Sequence, residues 1–386
     1  MRSFAARVLA AVCVAGSAGC AREPVVDVPV AEPIGAVIDE FPEPFTGPIR
    51  MVELRDGRLL LIDTRESRLL RLDFATGGVD SVSRSGDGPL EFRQSLFRLA
   101  LAPGDSVWGY DLRRRRILVF SPDGEPLRGF STIAADADRE VTMNSPWMIG
   151  VDSAGRWLGY SLQLLDRPPM IEPGYLVLRV DPRSGRQDSI TRLARPSNQR
   201  TEVGSQVVTN FEDRDAWTPL PDGRALVVRG AGYVVELHQP DGRVDTAGRI
   251  AHRRVPLTRA DAERVRDSTA KQIGALVAAT MANIPQLKDA PPPPTHVLPD
   301  PLPTQWPLLT EPEIAVDHQA RAWVRVRTQP FDSGPTRFDV LDRDGRFVRA
   351  VELPAGELLV GFGRAHLFAA RRDDDGLLWL RRYALP

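Results

Sequence analysis

The sequence predicts an all-β protein: a six-bladed β-propeller of four-stranded antiparallel blades, with one helical insertion between blades four and five. Three observations carry that reading. A unit of three apolar runs followed by a shorter fourth recurs along the 386 residues, at a spacing of about 40–50 residues that matches a propeller blade. Inside each unit the turns are short and centre on Asp-Gly or a close relative, a strong hairpin signal. Length variation is instead concentrated on the blade-to-blade and second-to-third connections, which leave an up-and-down blade on the same face.

The units follow in order. In the first, residues 50–54 run into Asp56-Gly57, 59–63 follow, and 69–74 end at Thr76-Gly77-Gly78. The second has runs at 97–101, 107–111 and 117–120, the third at 148–151, 157–160 and 175–180. In the fourth, Trp217 precedes Asp222-Gly223, and runs at 225–228 and 233–237 follow. The fifth has runs at 314–316, 322–326 and 338–341, and the last at 358–362, 367–370 and 377–380. Short segments such as 79–82 and 347–351 read as outer strands. Trp108, Trp157 and Trp323 hold like positions on second strands and are expected between blades.

The last unit stops at Pro386, one strand short. A propeller must close its ring to avoid an unpaired edge, and the apolar segments 25–30 and 34–38 are the available donors. The chain therefore divides into an export signal at 1–20, a linker with a ring-closing strand at 21–45, and the propeller at 46–386. Residues 256–307 form a helical and Pro-rich insertion. There Thr258 and Asp261 resemble a capping box, and Val265, Ile273, Leu276, Val277, Thr280 and Met281 repeat at helical spacing across 260–282. The helix reads as a fixed cover over the loop-rich face, or else as a lid or docking peptide.

Arg2 and Arg7, the apolar run 8–15 and small residues up to Cys20 have the form of an export signal. Ser17-Ala18-Gly19-Cys20 resembles the lipobox of bacterial lipoproteins, with Ser17 where Leu is usual. That resemblance implies lipidation of Cys20 and a membrane-anchored protein outside the cytoplasm, in the outer membrane or periplasm; ordinary secretion is the alternative. The second cysteine, Cys13, lies inside the signal, so the mature chain has no disulfide and no cysteine-ligated metal.

Two further motifs carry a resemblance. Asp-Gly-Arg-Leu-Leu-Leu-Ile-Asp at 56–63, with Arg68 five residues on, is similar to the strand pair of NHL-type six-bladed propellers, and Asp111 with Arg116 repeats the spacing. Ser-Gly-Asp-Gly-Pro-Leu-Glu-Phe at 85–92 resembles the connector of bacterial six-bladed propeller lipoproteins. The likeness covers about residues 45–386. Its motifs are structural, so it implies the fold and no catalytic residue.

The chemistry is sparse. Hydrophobic residues make up 42% of the chain, enough for a large core, and 50 basic against 51 acidic residues exclude a protein built to coat nucleic acid. The five histidines are scattered with no zinc spacing. No nucleophile elbow, Walker loop or dinucleotide fingerprint occurs. No cofactor or metal is expected. Arg113-Arg114-Arg115-Arg116 is the densest basic run, an anion or membrane contact or a solvated loop beside Asp111. Trp147, Trp217 and Trp306 lie near the inserted face and are candidate ligand platforms. Strand register places Arg50, Arg98, Trp147, Asp215 and Glu313 around the channel mouth, as a ligand site or as a hydrated ring of cancelling charge. The functional expectation is a monomeric module that binds a protein, peptide or glycan through its loop-rich face. The alternative is a hydrolase or lyase at the channel mouth, with or without a metal.

Overall fold

The computed structural model describes residues 28–94, 96–133, 146–161, 174–194, 206–208, 210–283, 295–311, 314–331 and 333–386. The signal and Cys20, Glu313, the four prolines at 291–294 and the 163–173 loop lie outside the described residues.

Six antiparallel blades succeed one another. Blade one is Ile49–Glu53, Leu59–Asp63, Arg68–Asp73 and Gly78–Arg84. Blade two is Arg98–Leu101, Val107–Asp111, Arg116–Phe120 and Pro126–Ser131. Blade three is Trp147–Val151, Trp157–Ser161, Gly174–Val180 and Gln187–Ala194. Blade four is Ala216–Pro219, Ala225–Arg229, Val234–His238 and Val244–Arg249. Blade five is Ala315–Val316, Ala322–Val326, Thr336–Leu341 and Phe347–Leu353. Blade six is Glu357–Phe362, His366–Arg372 and Leu378–Ala384, with Val37–Glu40 as its outer strand.

Second strands such as Leu59–Asp63 are buried at every position. A blade is covered on both faces by its neighbours, so its inner strands read as continuous apolar runs and lose the usual alternation. Each of the six interfaces holds its own apolar cluster. Leu60, Phe92 and Leu118 join blades one and two, Tyr110 and Trp157 join two and three, and Trp217 with Leu158 joins three and four. Leu226 and Val324 join four and five, Trp323 and Leu367 join five and six, and Phe41 with Leu61 and Phe368 joins six and one. Trp108, Trp157 and Trp323 are all buried between blades.

The tight turns are set by side chains as well as by glycine. Gly223 adopts φ +88°, a conformation that L side chains rarely take. Blade five has Ala320 at the matching place, also left-handed. Its turn is held by Asp317, whose Oδ1 accepts the Gln319 and Arg321 N–H groups and whose Oδ2 accepts from Arg321 Nε at 2.7 Å. Asp152 and Arg156 repeat that bracket in blade three.

The outer strand of blade six begins later than hydrophobicity suggested. Val37–Glu40 runs antiparallel to Leu378–Ala384, with Asp39 opposite Arg382 and Glu40 opposite Arg381. Residues Ala31–Pro33 instead add a fifth, parallel strand to blade five. Of the apolar residues of this segment, Ile34 is buried between blades five and six, whereas Val30, Val37 and Ile38 are exposed. The anchors are Phe41 and Phe45, buried just after the strand, and the Asp39–Arg382 and Glu40–Arg381 ion pairs.

Among its described residues the insertion contains one helix, Arg259–Asn283. Thr258 Oγ1 accepts the Asp261 N–H and donates to Asp261 Oδ2, so Asp261 returns the bond to the hydroxyl and not to the backbone. Its first turns pack: Ala262 and Val265 join Val208, Phe211, Leu257 and Trp306 in a separate small core. Leu276, expected on the packed stripe, is exposed.

Candidate functional site

The first strands of the blades line a central channel, which widens into two cavities of about 310 Å³ each. One opens toward the loop-rich face and is bordered by Arg50, Arg98, Glu311, Arg325 and Glu357. The other extends toward the tight turns, past Ile149, Thr218, Asp317 and His318. Arg50 and Arg98 border both cavities, so they stand where the two meet.

Arg50 lies in the first strand of blade one, with its guanidinium carbon 5.5 Å from the Phe97 ring centre. Arg98, which opens the first strand of blade two, donates from Nε to the Ile149 carbonyl at 3.2 Å. Register therefore brings these two together. Trp147 does not border the cavities. It stands in an aromatic row, edge-on to Phe97 at 5.3 Å and 5.8 Å from Tyr160, which meets Tyr175 at 4.9 Å. Asp215 is not part of the ring. It is buried within blade four, where it accepts from Arg229 at 2.7 Å and from the Ala194 and Gly230 N–H groups. A buried carboxylate needs such partners, and those it has here lie away from the axis.

Sequence reasoning missed Glu311, Arg325 and Glu357. Arg325 pairs with Glu311 at the mouth. Its signal was a lone cation inside the apolar run 322–326. Glu357, almost wholly buried, accepts from Arg381 Nη1 at 2.8 Å and from the Tyr383 hydroxyl. Burial first, and then the Glu357 carboxylate, push the Tyr383 phenol well above its ordinary value. At the other end of the channel, burial pushes the His318 imidazole down, so it is biased to the neutral form. Beyond it the Arg364 N–H donates to Glu53 Oε2 at 2.7 Å.

Two of the three proposed tryptophan platforms are structural. Trp217 fills the interface of blades three and four, and Trp306 the small core of the insertion. The basic run is also structural. Arg114 donates to the Gly86, Gly88 and Glu91 carbonyls and to Asp87, and Arg116 to the Pro89 and Glu91 carbonyls, so the two clamp the connector between blades one and two. Among the described residues no three of His, Cys, Asp and Glu converge to hold a metal ion, and no helix is long and apolar enough to cross a membrane.

No family model and no curated protein matches the sequence. Solved structures do. A Xanthomonas campestris gluconolactonase is 14% identical, over 93% of this chain and 97% of that one, with a TM-score of 0.44. A Bacteroides vulgatus protein is 11% identical over 93% and 96%, with a TM-score of 0.46. Virginiamycin B lyase from Staphylococcus aureus, solved with quinupristin as the inactive H270A form, is 11% identical over 90% and 98%, with a TM-score of 0.42. Likeness at these identities and TM-scores carries no activity to this chain.

Proposed function

We propose that the protein is an exported, lipid-anchored binding module that takes a polar group of a peptide, glycan or protein ligand at the loop-face mouth of its central channel. The observation that carries this reading is the convergence of Arg50 and Arg98, from adjacent blades, at the junction of both channel cavities. Guanidinium groups are planar donors with five N–H bonds in a fixed fork, suited to carboxylates, amides and vicinal hydroxyls. Arg325 and Glu311 beside them offer a charged rim. A cavity of about 310 Å³ admits a chain end or one sugar-sized group, so the ligand enters end-on with its bulk on the loops.

The test is to screen the mature protein on peptide and glycan arrays and to titrate the hits. Arg98→Ala and Arg50→Ala should each weaken binding at least about tenfold, with the melting temperature of each variant read alongside to confirm that it is folded at the assay temperature. Ligands that bind both variants as well as the parent would overturn the site. Stoichiometric calcium or zinc in the purified protein would instead favour a metal-dependent hydrolase or lyase. Anchoring is tested separately: Cys20→Ala should release the protein from membranes or block its processing.

A further inference from the structure

We propose that a cavity between blades four and five, away from the channel axis, is a second binding site, and that its ligand is a small organic carboxylate with an apolar body. The cavity measures about 460 Å³, within the usual range for small-molecule sites, and shares no lining residue with the channel. It opens among the segment that follows blade four, residues 251–256, and the end of blade five's second strand, residues 326–328, so it lies on the loop-rich face.

Its walls differ in character. Val28, Val255, Pro256 and Val326 give an apolar side. The other side is cationic, because Arg253, Arg254, Arg327 and Arg337 all border the space. Two carboxylates offset them, and both are already engaged. Asp213 takes both bonds from Arg254 Nη1 at 2.9 Å. Asp339, buried at the floor, accepts from the Tyr233 hydroxyl at 2.8 Å and from Arg337 Nε at 2.9 Å. Arg327 is engaged as well, donating from Nη1 to the Pro330 carbonyl at 2.7 Å and lying over the Trp306 ring.

Two donors remain for a ligand. Arg337 is itself nearly buried, and its Nη1 donates to the Pro29 carbonyl at 2.9 Å, which leaves Nη2 with no protein acceptor among the described residues. Arg253 is exposed at the rim and has no ion-pair partner among the described residues. A buried guanidinium inside, an exposed one at the rim and apolar lining beside them suit a planar anion with a hydrocarbon body better than a bare inorganic ion.

The experiment titrates the mature protein with benzoate and hexanoate, using benzyl alcohol and inorganic phosphate as controls, and maps binding by amide hydrogen exchange. Benzoate and hexanoate should bind and slow exchange across 251–256 and 326–328. Arg253→Glu, at an exposed position, should weaken both about tenfold. The proposal is overturned if neither carboxylate binds, if benzyl alcohol or phosphate binds as well as benzoate, or if Arg253→Glu has no effect. Protection confined to the first strands of blades one and two would likewise overturn it, by placing the carboxylate in the channel.

Discussion

Replacing Phe41 with alanine tests how the ring is closed. Phe41 is fully buried where blade six meets blade one, with its ring 5.2 Å from Phe74 and 6.1 Å from Phe45. Its N–H donates to the Leu380 carbonyl at 2.8 Å, four residues before Phe45 exchanges two bonds with Leu378. A buried Phe→Ala change costs about 3–5 kcal/mol, and aromatic partners, Phe74 edge-on and Phe45 stacked, add to simple burial, so about 4 kcal/mol is expected. Ile38→Ala is the control. Ile38 is 54% exposed on the closing strand itself, and its loss should cost less than about 1 kcal/mol. Urea denaturation gives the difference as a shift in midpoint at constant slope. Hydrogen exchange gives the location, because the Leu378 N–H is bonded to Phe45 O and stays protected only while the clasp is shut. If the two variants agree within about 1 kcal/mol and Leu378 exchanges as in the parent, the segment is a passenger and the ring is held some other way.

Two further outcomes follow from buried or clamped polar groups. Burial, and then Asp339, raise the Tyr233 phenol well above its ordinary 10.0. The protonated form thus carries a stabilisation that is complete below that value and is lost as pH rises beyond it, because the unfolded phenol ionises first. Tyr233→Phe should cost about 1–3 kcal/mol at neutral pH, since Asp339 loses a donor. It should also flatten the alkaline fall in stability; parallel stability curves for variant and parent would contradict the assignment. Arg114→Lys keeps the charge but loses the fork that reaches three carbonyls of the blade connector. Limited proteolysis should then cut residues 85–92 several times faster, with about 1–3 kcal/mol of stability lost. Equal digestion rates would show that the connector holds its shape without the clamp.

The parts of the fold that were legible are those where one physical cause dominates. Inner strands such as Leu59–Asp63 are enclosed on both faces, so they must be apolar throughout, and the turns beside them need residues that tolerate unusual backbone angles. Outer strands were harder to place. Gly78–Arg84 is largely exposed, and an exposed strand places few demands on its side chains. The closing strand was misplaced by two or three residues for a related reason. Apolar content pointed to 25–30 and 34–38, whereas the register is fixed by Phe41, Phe45 and two ion pairs, and the strand's own apolar side chains face solvent.

The geometry of the candidate site was legible in part, and arginine explains much of the rest. Arg50 and Arg98 could be placed because first-strand positions face the axis by topology alone. Asp215 obeyed the same arithmetic and still failed, because Arg229 on the next strand captures it. That capture belongs to a wider habit of the molecule. The two cysteines, Cys13 and Cys20, both precede the propeller, so no disulfide ties its loops. Guanidinium groups bonded to backbone carbonyls do so instead. Arg114 holds Gly86, Arg179 holds Gly223, Arg254 holds Gly230 and Ala231, and Arg364 holds Arg55. Arg337 and Arg321 hold Pro29 and Pro386, at opposite ends of the described chain. Such bonds are charge-assisted and stronger than neutral ones, and each consumes a side chain that a sequence reader would count as surface charge. In this chain a cluster of arginines is therefore first a fastening. It signals a ligand where, as at Arg50 and Arg98 or at Arg253 and Arg337, guanidinium groups also border a cavity.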